Sequence, residues 1–409
     1  MMDILLVADG RSPITSCYIN NLQACGYTLG LVSSFPCEPL PGLTGMSIIP
    51  VAFSQLAAPL RSSSPAANTS PAAPPSGLRR LVRRYRGLLQ AWRYYLGPLS
   101  VQYYARQMQH IAAVWKPALV HALRIPFEGM LASFSPPGIP LVVSIWGNDL
   151  TLHARGSAWM GALTMRCLQR ASGLAADARR DLRLGRQWGF DPAQPTLVAP
   201  GSGGIDLEKI RTNPADAEFL EAFHLPPGTP LVINPRGFRP GSVRNDTFFQ
   251  SIPQVLAKRP ETVFLCPAMA GQAEAQNWVG SLGIAPAVHL LPLLPQRQLW
   301  AIFKQAQAFV SPSAHDGTPN SLLEAMACGC FPIAGDIESL REWITPGVNG
   351  LLVEPGSPAE LAQAILQTLA SPALRQQAAK INAGIIAQRA DAGLVRSKIQ
   401  DFYRSCGLR

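Results

Sequence analysis

The stretch Ala308–Ala334, AFVSPSAHDGTPNSLLEAMACGCFPIA, contains two short apolar runs on either side of a segment rich in small residues. The runs Ala308–Ser311 and Phe331–Ala334 are typical of buried strands, and Thr318-Pro319 between them suits the start of a helix. A strand, a helix and a second strand at this spacing predict a βαβ unit with parallel strands.

The same alternation continues through the whole chain. Strands are predicted in the first half at Ile4–Ala8, Thr28–Val32, Leu119–Ala122, Leu141–Trp146 and Leu174–Ala176, and in the second half at Leu231–Asn234, Val263–Pro267, Val288–Leu291, Ala308–Ser311, Phe331–Ala334 and Leu351–Val353. The series restarts at TPLVINPRG (Thr229–Gly237), after a polar stretch. We therefore expect an α/β fold with two Rossmann-like domains facing a central cleft, and ligands at the carboxyl ends of the strands. The predicted domains are residues 1–205 and 206–387.

The net charge of +10 comes from one region of the first domain. No acid lies between Glu38 and Glu128, and this region holds ten basic residues. Residues 61–77 are of low complexity, and residues 78–110 carry a basic amphipathic pattern with aromatic side chains. Such a pattern predicts contact with an anionic membrane surface. The alternatives are a helix whose arginines face water and a surface for nucleic acid, although no nucleic-acid recognition motif accompanies the charge.

Neither a secretory signal nor a membrane-spanning segment is predicted. The N-terminus MMDILLVADG has an acid at position 3 and only a short apolar run. Nowhere does an apolar run approach the roughly 20 residues that span a bilayer. We expect a cytoplasmic protein, with a peripheral position on the inner membrane face as the alternative.

The loop and helix after Ser311 form a predicted anion site. Thr318 suits the N-cap and Pro319 the first helical position. The first amides of the helix then lack intrahelical acceptors and lie at the positive end of the helix dipole. These are the amides of Asn320, Ser321 and Leu322. Gly317 would let the backbone approach a ligand closely.

Two acids flank this anion site. Glu324 could accept hydrogen bonds from ribose hydroxyls of a nucleotide whose diphosphate lies at the helix start. Asp316 lies on the other side, where a sugar would project. On one helix they would stand about 12 Å apart, beyond the roughly 5–9.5 Å of glycosidase acid pairs. We therefore interpret them as hydroxyl-binding groups and exclude a hydrolase dyad.

This stretch resembles the acid-x7-acid motif of family-4 retaining glycosyltransferases with the GT-B fold. The likeness continues through EAMACGCFPIAGDIESLREWITPGVNGLLVEPGSPAELAQAI (Glu324–Ile365), which is similar to the C-terminal signature of that family. Asp316 stands where the family usually has Glu. The resemblance implies transfer of a sugar from a UDP- or GDP-linked donor, without a metal or other cofactor and with retention of the anomeric configuration.

The resemblance also assigns roles to residues of both domains. Arg236 and a second cation, Arg244 or alternatively Arg239, would hold the donor diphosphate in the second domain. Gly10 and Gly204 would border the donor. The first domain would bind the acceptor, and residues 388–409 would form a terminal helix that packs back on it.

Four residues of the first domain are candidates for substrate binding. Trp146 occupies the position where relatives carry a His near the donor sugar, and Asn148 and Asp149 follow in the same loop. Capping of the next helix is the alternative for this pair. His121 at the end of a strand could face the cleft or be a core residue.

The predicted function is a glycosyltransferase acting on a saccharide or a lipid-linked acceptor, in envelope or exopolysaccharide synthesis. The alternatives are a catalytically decayed sugar-nucleotide-binding relative, motivated by Trp146 and Gly10, and a basic nucleic-acid-binding protein.

Overall fold

The computed structural model describes residues 2–54, 86–213, 226 and 228–408. Of these, residues 53 and 86–92 are described by their backbone alone. The low-complexity stretch 61–77 and residues 78–85 of the predicted amphipathic segment lie outside the described residues. The chain divides into two compact units. The first comprises Met1–Ala176, Asp181–Val198 and Lys398–Arg409, and the second comprises Asp177–Arg180 and Ala199–Ser397.

The first unit contains, within its described residues, a sheet of seven parallel strands in the order β3-β2-β1-β4-β5-β6-β7. Apolar runs form these strands because both faces of a parallel sheet are buried under helices. In β1 every side chain is buried, and Ile4 lies opposite both Leu29 and Leu119. The strands are β1 (Ile4–Ala8), β2 (Leu29–Ser33), β3 (Gly45–Ile48), β4 (Leu119–Ala122), β5 (Leu141–Ile145), β6 (Gly173–Ala176) and β7 (Thr196–Val198).

The second unit contains a sheet of six parallel strands in the order β10-β9-β8-β11-β12-β13. This order reverses between β8 and β11, as in a Rossmann fold, so the loops after these two strands meet at the same edge. The strands are β8 (Leu231–Ile233), β9 (Val263–Cys266), β10 (Val288–Leu290), β11 (Ala308–Ser311), β12 (Phe331–Gly335) and β13 (Leu351–Val353).

Helices connect the strands in both units. They are α1 (Pro13–Ala24), α2 (Arg86–Trp115), α3 (Ala158–Arg170), α4 (Arg179–Gln187), α5 (Leu207–Thr212), α6 (Asn245–Leu256), α7 (Ala273–Ser281), α8 (Gln296–Gln305), α9 (Asn320–Ala327), α10 (Glu338–Arg341), α11 (Pro358–Ala370), α12 (Pro372–Arg389) and α13 (Ala392–Ser405). Short helical turns also occur at Val51–Phe53, Ile125–Gly129, Met130–Ala132, Asp149–His153 and Ala285–Ala287. In the part of the chain that the structure describes, no helix is both long and apolar enough to cross a membrane.

These sheets confirm the predicted α/β fold with two Rossmann-like domains. The predicted cleft between the domains stays a prediction. Two strands were not predicted, Gly45–Ile48 and Thr196–Val198. Both lie at sheet edges, where a strand has one neighbour and needs little apolar sequence. The structural boundaries also differ from the predicted ones, since residues 388–397 group with the second unit and only Lys398–Arg409 with the first.

A chain of buried hydrogen bonds runs through the first unit. His121 is fully buried, and its two ring nitrogens contact Tyr403 Oη at 2.6 Å and Ser144 Oγ at 2.9 Å. Tyr403 Oη also lies 3.3 Å from Tyr18 Oη. Burial lowers the pKa of His121 to about 3, so its ring is neutral at physiological pH. This placement does not fit the predicted contact of His121 with substrate, because both ring nitrogens are already bonded inside the core.

Replacing Tyr403 with phenylalanine should lower the free energy of unfolding by about 1–3 kcal/mol, because the His121 and Tyr18 side chains would lose a partner that water cannot replace. Denaturant unfolding monitored by circular dichroism measures this loss. Tyr103→Phe is the matched control, since Tyr103 is 79% exposed. Equal stability of the two variants would contradict the importance of this buried chain.

Candidate donor site in the second unit

The turn after β8 positions Arg236. Asn234 is fully buried, and its Oδ1 accepts a hydrogen bond from the Arg236 amide at 3.2 Å. The Asn234 amide group donates to Asn245 Oδ1, and Asn245 Nδ2 donates to Gly237 O at 3.0 Å. The two asparagines therefore hold the turn from both sides. Sequence reasoning missed them, although a polar pair around a strand end next to an arginine is a usable signal.

The Arg236 guanidinium is buried and directed at α9. Its side chain is 6% exposed, and Nη2 lies 2.6 Å from Asp316 Oδ2. Nη1 donates to Ser321 Oγ at 3.2 Å. Nε is buried and has no hydrogen-bond partner among the described residues. The structure therefore brings together Arg236, Asp316 and Ser321, which come from two different loops of the sheet edge.

Asp316 is occupied by protein donors on both carboxylate oxygens. Oδ2 accepts from Arg236 and from Ser313 Oγ, the latter at 3.0 Å, and Oδ1 accepts from the Gly317 amide at 3.2 Å. The predicted role of Asp316 as a sugar-hydroxyl ligand therefore competes with contacts already made inside the protein.

The start of α9 differs by one residue from the prediction. The N-cap is Pro319 and the helix begins at Asn320. Thr318 is used elsewhere, since its Oγ1 donates to Asp177 O and accepts from Trp343 Nε1 at 2.8 Å. The Leu322 amide donates to Pro319 O at 3.0 Å, so the prediction that it is unpaired is wrong.

Two amides remain for an anion at this helix start. Within the described part of the chain, the amides of Asn320 and Ser321 have no hydrogen-bond acceptor. The Asn320 side chain is oriented by Ser202, whose Oγ donates to Asn320 Oδ1 at 3.0 Å. These two amides and the Arg236 guanidinium form a compact group of donors, which suits a phosphate or a diphosphate.

Glu324 lies one turn further along α9 and is 7% exposed. Burial raises the pKa of its carboxyl group to about 7, although the hydrogen bond from Gln296 opposes this rise. That bond joins Gln296 Nε2 and Glu324 Oε1 at 2.7 Å. Gln296 begins α8 and was not predicted as a site residue. Trp300 also lies against this carboxyl group and, like Gln296, opposes the rise of its pKa.

Arg244 is exposed and paired with a neighbour. Its Nε and Nη2 lie 2.9 Å and 2.7 Å from the two Asp246 carboxylate oxygens, and its side chain is 44% exposed. This pairing raises the pKa of Arg244 and leaves its guanidinium largely compensated. The predicted role of Arg244 as a second diphosphate ligand would require exchange of this partner.

Close contacts within the second unit require glycine at two positions of the site. A Cβ atom on Gly317 would collide with the Asp177 carboxylate. Gly204 has a φ of +98°, and a Cβ atom there would lie 2.8 Å from Ala392 Cα. The approach of the donor to these two glycines stays a prediction.

The predicted residues of the first unit fall into two groups. Asp149 is fully buried and accepts from Arg124 Nη2 at 2.7 Å and from the amides of Ile125 and Trp146 at 3.1 Å. Its predicted contact with a substrate does not fit this burial, because Asp149 ties the loops after β4 and β5 together. Asn148 and Trp146 are partly exposed at the same sheet edge.

Two further residues of this edge, Arg124 and Ser33, were not predicted from the sequence. Arg124 lies over the Trp146 ring at 5.3 Å and is 27% exposed, with Asp149 behind it. Ser33 contacts Gly10, which is predicted to border the donor: Gly10 is buried, and its amide donates to Ser33 Oγ at 3.0 Å. Ser33 and Arg124 carry no motif of their own, and only the strand order brings them to this edge.

The second half of the chain is similar to known glycosyltransferases. Residues 245–383 match the family model described as Glycosyl transferases group 1. A D-inositol 3-phosphate glycosyltransferase of Streptosporangium roseum is 33% identical over 125 residues, which cover 30% of this chain and 28% of the relative. A D-inositol 3-phosphate glycosyltransferase of Frankia alni is 29% identical over 214 residues, or 50% of each chain. The matched segments therefore span half or less of the length of these relatives.

Solved structures show the same fold over nearly the whole chain. Anabaena HepE in complex with UDP and glucose has a TM-score of 0.69 at 17% identity and covers 99% of this chain and 100% of its own. Sucrose-phosphate synthase from Thermosynechococcus elongatus has a TM-score of 0.71 at 16% identity, covering 99% and 98%. At this identity the likeness shows the fold alone. Together with the family match, it confirms the resemblance at the level of the group, and the assignment to family 4 stays a prediction. Residues 245–383 of the chain are thus similar to the glycosyl transferases group 1, and its two Rossmann-like domains have the GT-B fold.

Proposed function

We propose that the protein is a glycosyltransferase that moves a sugar from a nucleotide-sugar donor to an acceptor hydroxyl. The observation that carries the proposal is the buried Arg236 guanidinium, with an unpartnered Nε, next to the two unpaired amides at the start of α9. A cation and a helix N-terminus at one sheet edge form an anion site that suits a diphosphate. The Anabaena HepE structure with the same fold holds UDP and glucose.

Each donor-site residue has a distinct part in this reaction. The leaving nucleoside diphosphate gains negative charge as the glycosidic bond breaks, and Arg236 with the amides of Asn320 and Ser321 would stabilise that charge. Glu324 would accept hydrogen bonds from the ribose. We propose that these donors replace a metal ion and that the anomeric configuration is retained, with the departing phosphate taking the proton of the acceptor.

A donor panel tests this function directly. The protein is incubated with UDP- and GDP-linked sugars, with and without saccharide and lipid-linked acceptors, and the released nucleoside diphosphate is measured by mass spectrometry. We expect release from one donor that rises when an acceptor is added. Binding of a donor without any release would instead favour the catalytically decayed alternative.

The acceptor is proposed to be a saccharide or lipid-linked saccharide held at an anionic membrane surface, on the cytoplasmic side. Supporting this, α2 carries an exposed stripe of apolar side chains, which consists of Tyr95, Leu96, Leu99 and Tyr103. These residues lie within the region between Glu38 and Glu128, which holds the whole excess of basic residues. An apolar stripe beside basic residues is typical of helices that lie on anionic bilayers.

The double variant Leu99→Glu, Tyr103→Glu should pellet with phosphatidylglycerol vesicles about tenfold less than the wild type, because two acids replace apolar contacts at an anionic surface. Co-sedimentation at low and high salt measures the effect. Val348→Glu is the control, since Val348 is an exposed apolar residue of the second unit. Steep salt-dependent binding to nucleic acid without binding to vesicles would contradict the membrane proposal.

A further inference from the structure

The carboxylate of Asp316 is fully engaged on the side that faces Arg236. Its Oδ2 oxygen accepts from Arg236 Nη2 at 2.6 Å and from Ser313 Oγ at 3.0 Å, which uses both lone pairs of that oxygen. Its Oδ1 oxygen accepts from the Gly317 amide at 3.2 Å. The shortest of these contacts is the charge-assisted one to Arg236, so the ion pair determines the orientation of the carboxylate.

A hydroxyl chain behind Asp316 supports this orientation. Ser313 is fully buried, and its Oγ lies 3.0 Å from Ser311 Oγ. Because a hydroxyl has one proton, and Ser313 gives its proton to Asp316, Ser311 must be the donor between the two serines. The chain therefore runs from Ser311 through Ser313 to Asp316 and ends at the Arg236 guanidinium.

The two loops that carry the ion pair are also joined through the main chain. Val243 and Ser313 form an antiparallel bridge, the Ala314 amide donates to Ser242 O at 2.8 Å, and the Arg244 amide donates to Pro312 O at 3.0 Å. These bonds connect the loop after β8 to the loop after β11. The distance between the backbones of Arg236 and Asp316 is thus held by more than the ion pair itself.

We propose that Asp316 is a positioning residue that holds Arg236 at the diphosphate site, and that Ser313 orients Asp316 for this task. The inference rests on the proposed function, since it assumes that Arg236 binds the donor diphosphate. A guanidinium with several free torsions would otherwise occupy many positions, and misplacement of a charged group weakens its contact with the ligand. In this arrangement Asp316 acts on the phosphates through Arg236 rather than by contact with the sugar.

Titration calorimetry with two probes separates positioning from sugar contact. The probes are UDP and UDP-glucose, or GDP and GDP-mannose if the wild type binds the guanosine pair. Asp316→Asn should weaken both members of a pair by the same factor, about tenfold or more, because the defect lies at the diphosphate. Ser313→Ala should weaken both by a smaller common factor, about threefold.

A double variant tests whether Asp316 acts through Arg236. In the Arg236→Ala background, Asp316→Asn should cause no further loss of UDP affinity, whereas a merely structural role would add its own loss. Ser251→Ala is the matched control for Ser313→Ala, since Ser251 is also fully buried and hydrogen-bonded in the second unit. Thermal unfolding checks that every variant is folded. If Asp316→Asn does not fold, Ser313→Ala still tests the inference.

The outcomes distinguish this inference from the proposed function. Weaker binding of UDP-glucose with unchanged binding of UDP would mean that Asp316 contacts the sugar, and it would overturn the inference alone. Unchanged or tighter binding of UDP by Asp316→Asn would overturn it as well. A wild type that binds neither pair would overturn the proposed function itself.

Discussion

Arg236→Ala should lower kcat/KM for the donor by about 10²–10³-fold, the loss that follows removal of one preorganised donor to a developing negative charge. The reason lies in the burial of this side chain, which is 6% exposed and directs its guanidinium at α9. A charge held in a poorly solvated site interacts more strongly with a diphosphate than a charge on the surface. Steady-state release of nucleoside diphosphate measures the loss.

Two further variants make this result specific. Arg236→Lys should recover part of the activity, because a lysine keeps the charge but loses the planar fork of donors. Arg259→Ala is the control, since Arg259 is a more exposed arginine of the second unit that pairs with Glu261. Rates near those of the wild type for Arg236→Ala would mean that the diphosphate lies elsewhere.

Glu324→Gln should change both the stability of the protein and its affinity for nucleotide. Burial raises the pKa of the Glu324 carboxyl group from 4.5 to about 7 in the folded protein. Between these values the folded state binds more protons than the unfolded state. The free energy of unfolding therefore falls as the pH rises through this window, by about 3 kcal/mol once the pH is above 7.

The glutamine variant removes this titration. Its free energy of unfolding should change less between pH 5 and pH 8.5 than that of the wild type, so that the variant gains relative stability at the higher pH. Denaturant unfolding across this range is the measurement, and Glu274→Gln on an exposed position is the control. Parallel stability curves for wild type and Glu324→Gln would contradict the buried, titrating carboxyl group.

Nucleotide binding should show the opposite trend with pH. Ribose hydroxyls donate to a carboxylate more strongly than to a neutral group, so the UDP affinity of the wild type should rise as Glu324 loses its proton near pH 7. Glu324→Gln should bind UDP about tenfold more weakly at pH 8 and show little of this pH dependence. Unchanged affinity would remove the ribose assignment.

The position of Glu324 could be predicted from the sequence, but its contacts could not. Its place one turn inside a helix follows from the spacing of Pro319 and the apolar residues after it, and the structure has Glu324 in α9. The raised pKa of its carboxyl group comes from burial in the packed unit, and the hydrogen bond that opposes the rise comes from Gln296, 28 positions earlier in the chain. No local pattern indicates that contact.

For Asp149 and His121, the sequence predicted the position after or within a strand but not the burial of the side chain. Both were assigned to substrate from their places after strands, and both are fully buried in the first unit. Asp149 receives donors from the loop after β4, and His121 contacts Tyr403, which lies 282 positions away. A polar residue at a strand end can serve a ligand or the core, and the choice depends on which donors the fold places beside it.

Sequence patterns predicted eleven of the thirteen strands found among the described residues, the position of Arg236 after a strand, and the helix start near Pro319, because periodicity and turn chemistry act over a few residues. The pairing of Arg236 with Asp316, 80 positions away, arises only in the folded domain. Pairing between distant residues depends on which strands are neighbours in a sheet. That order is a property of the packed domain, since β8 lies beside β11, which follows it only after two intervening strands.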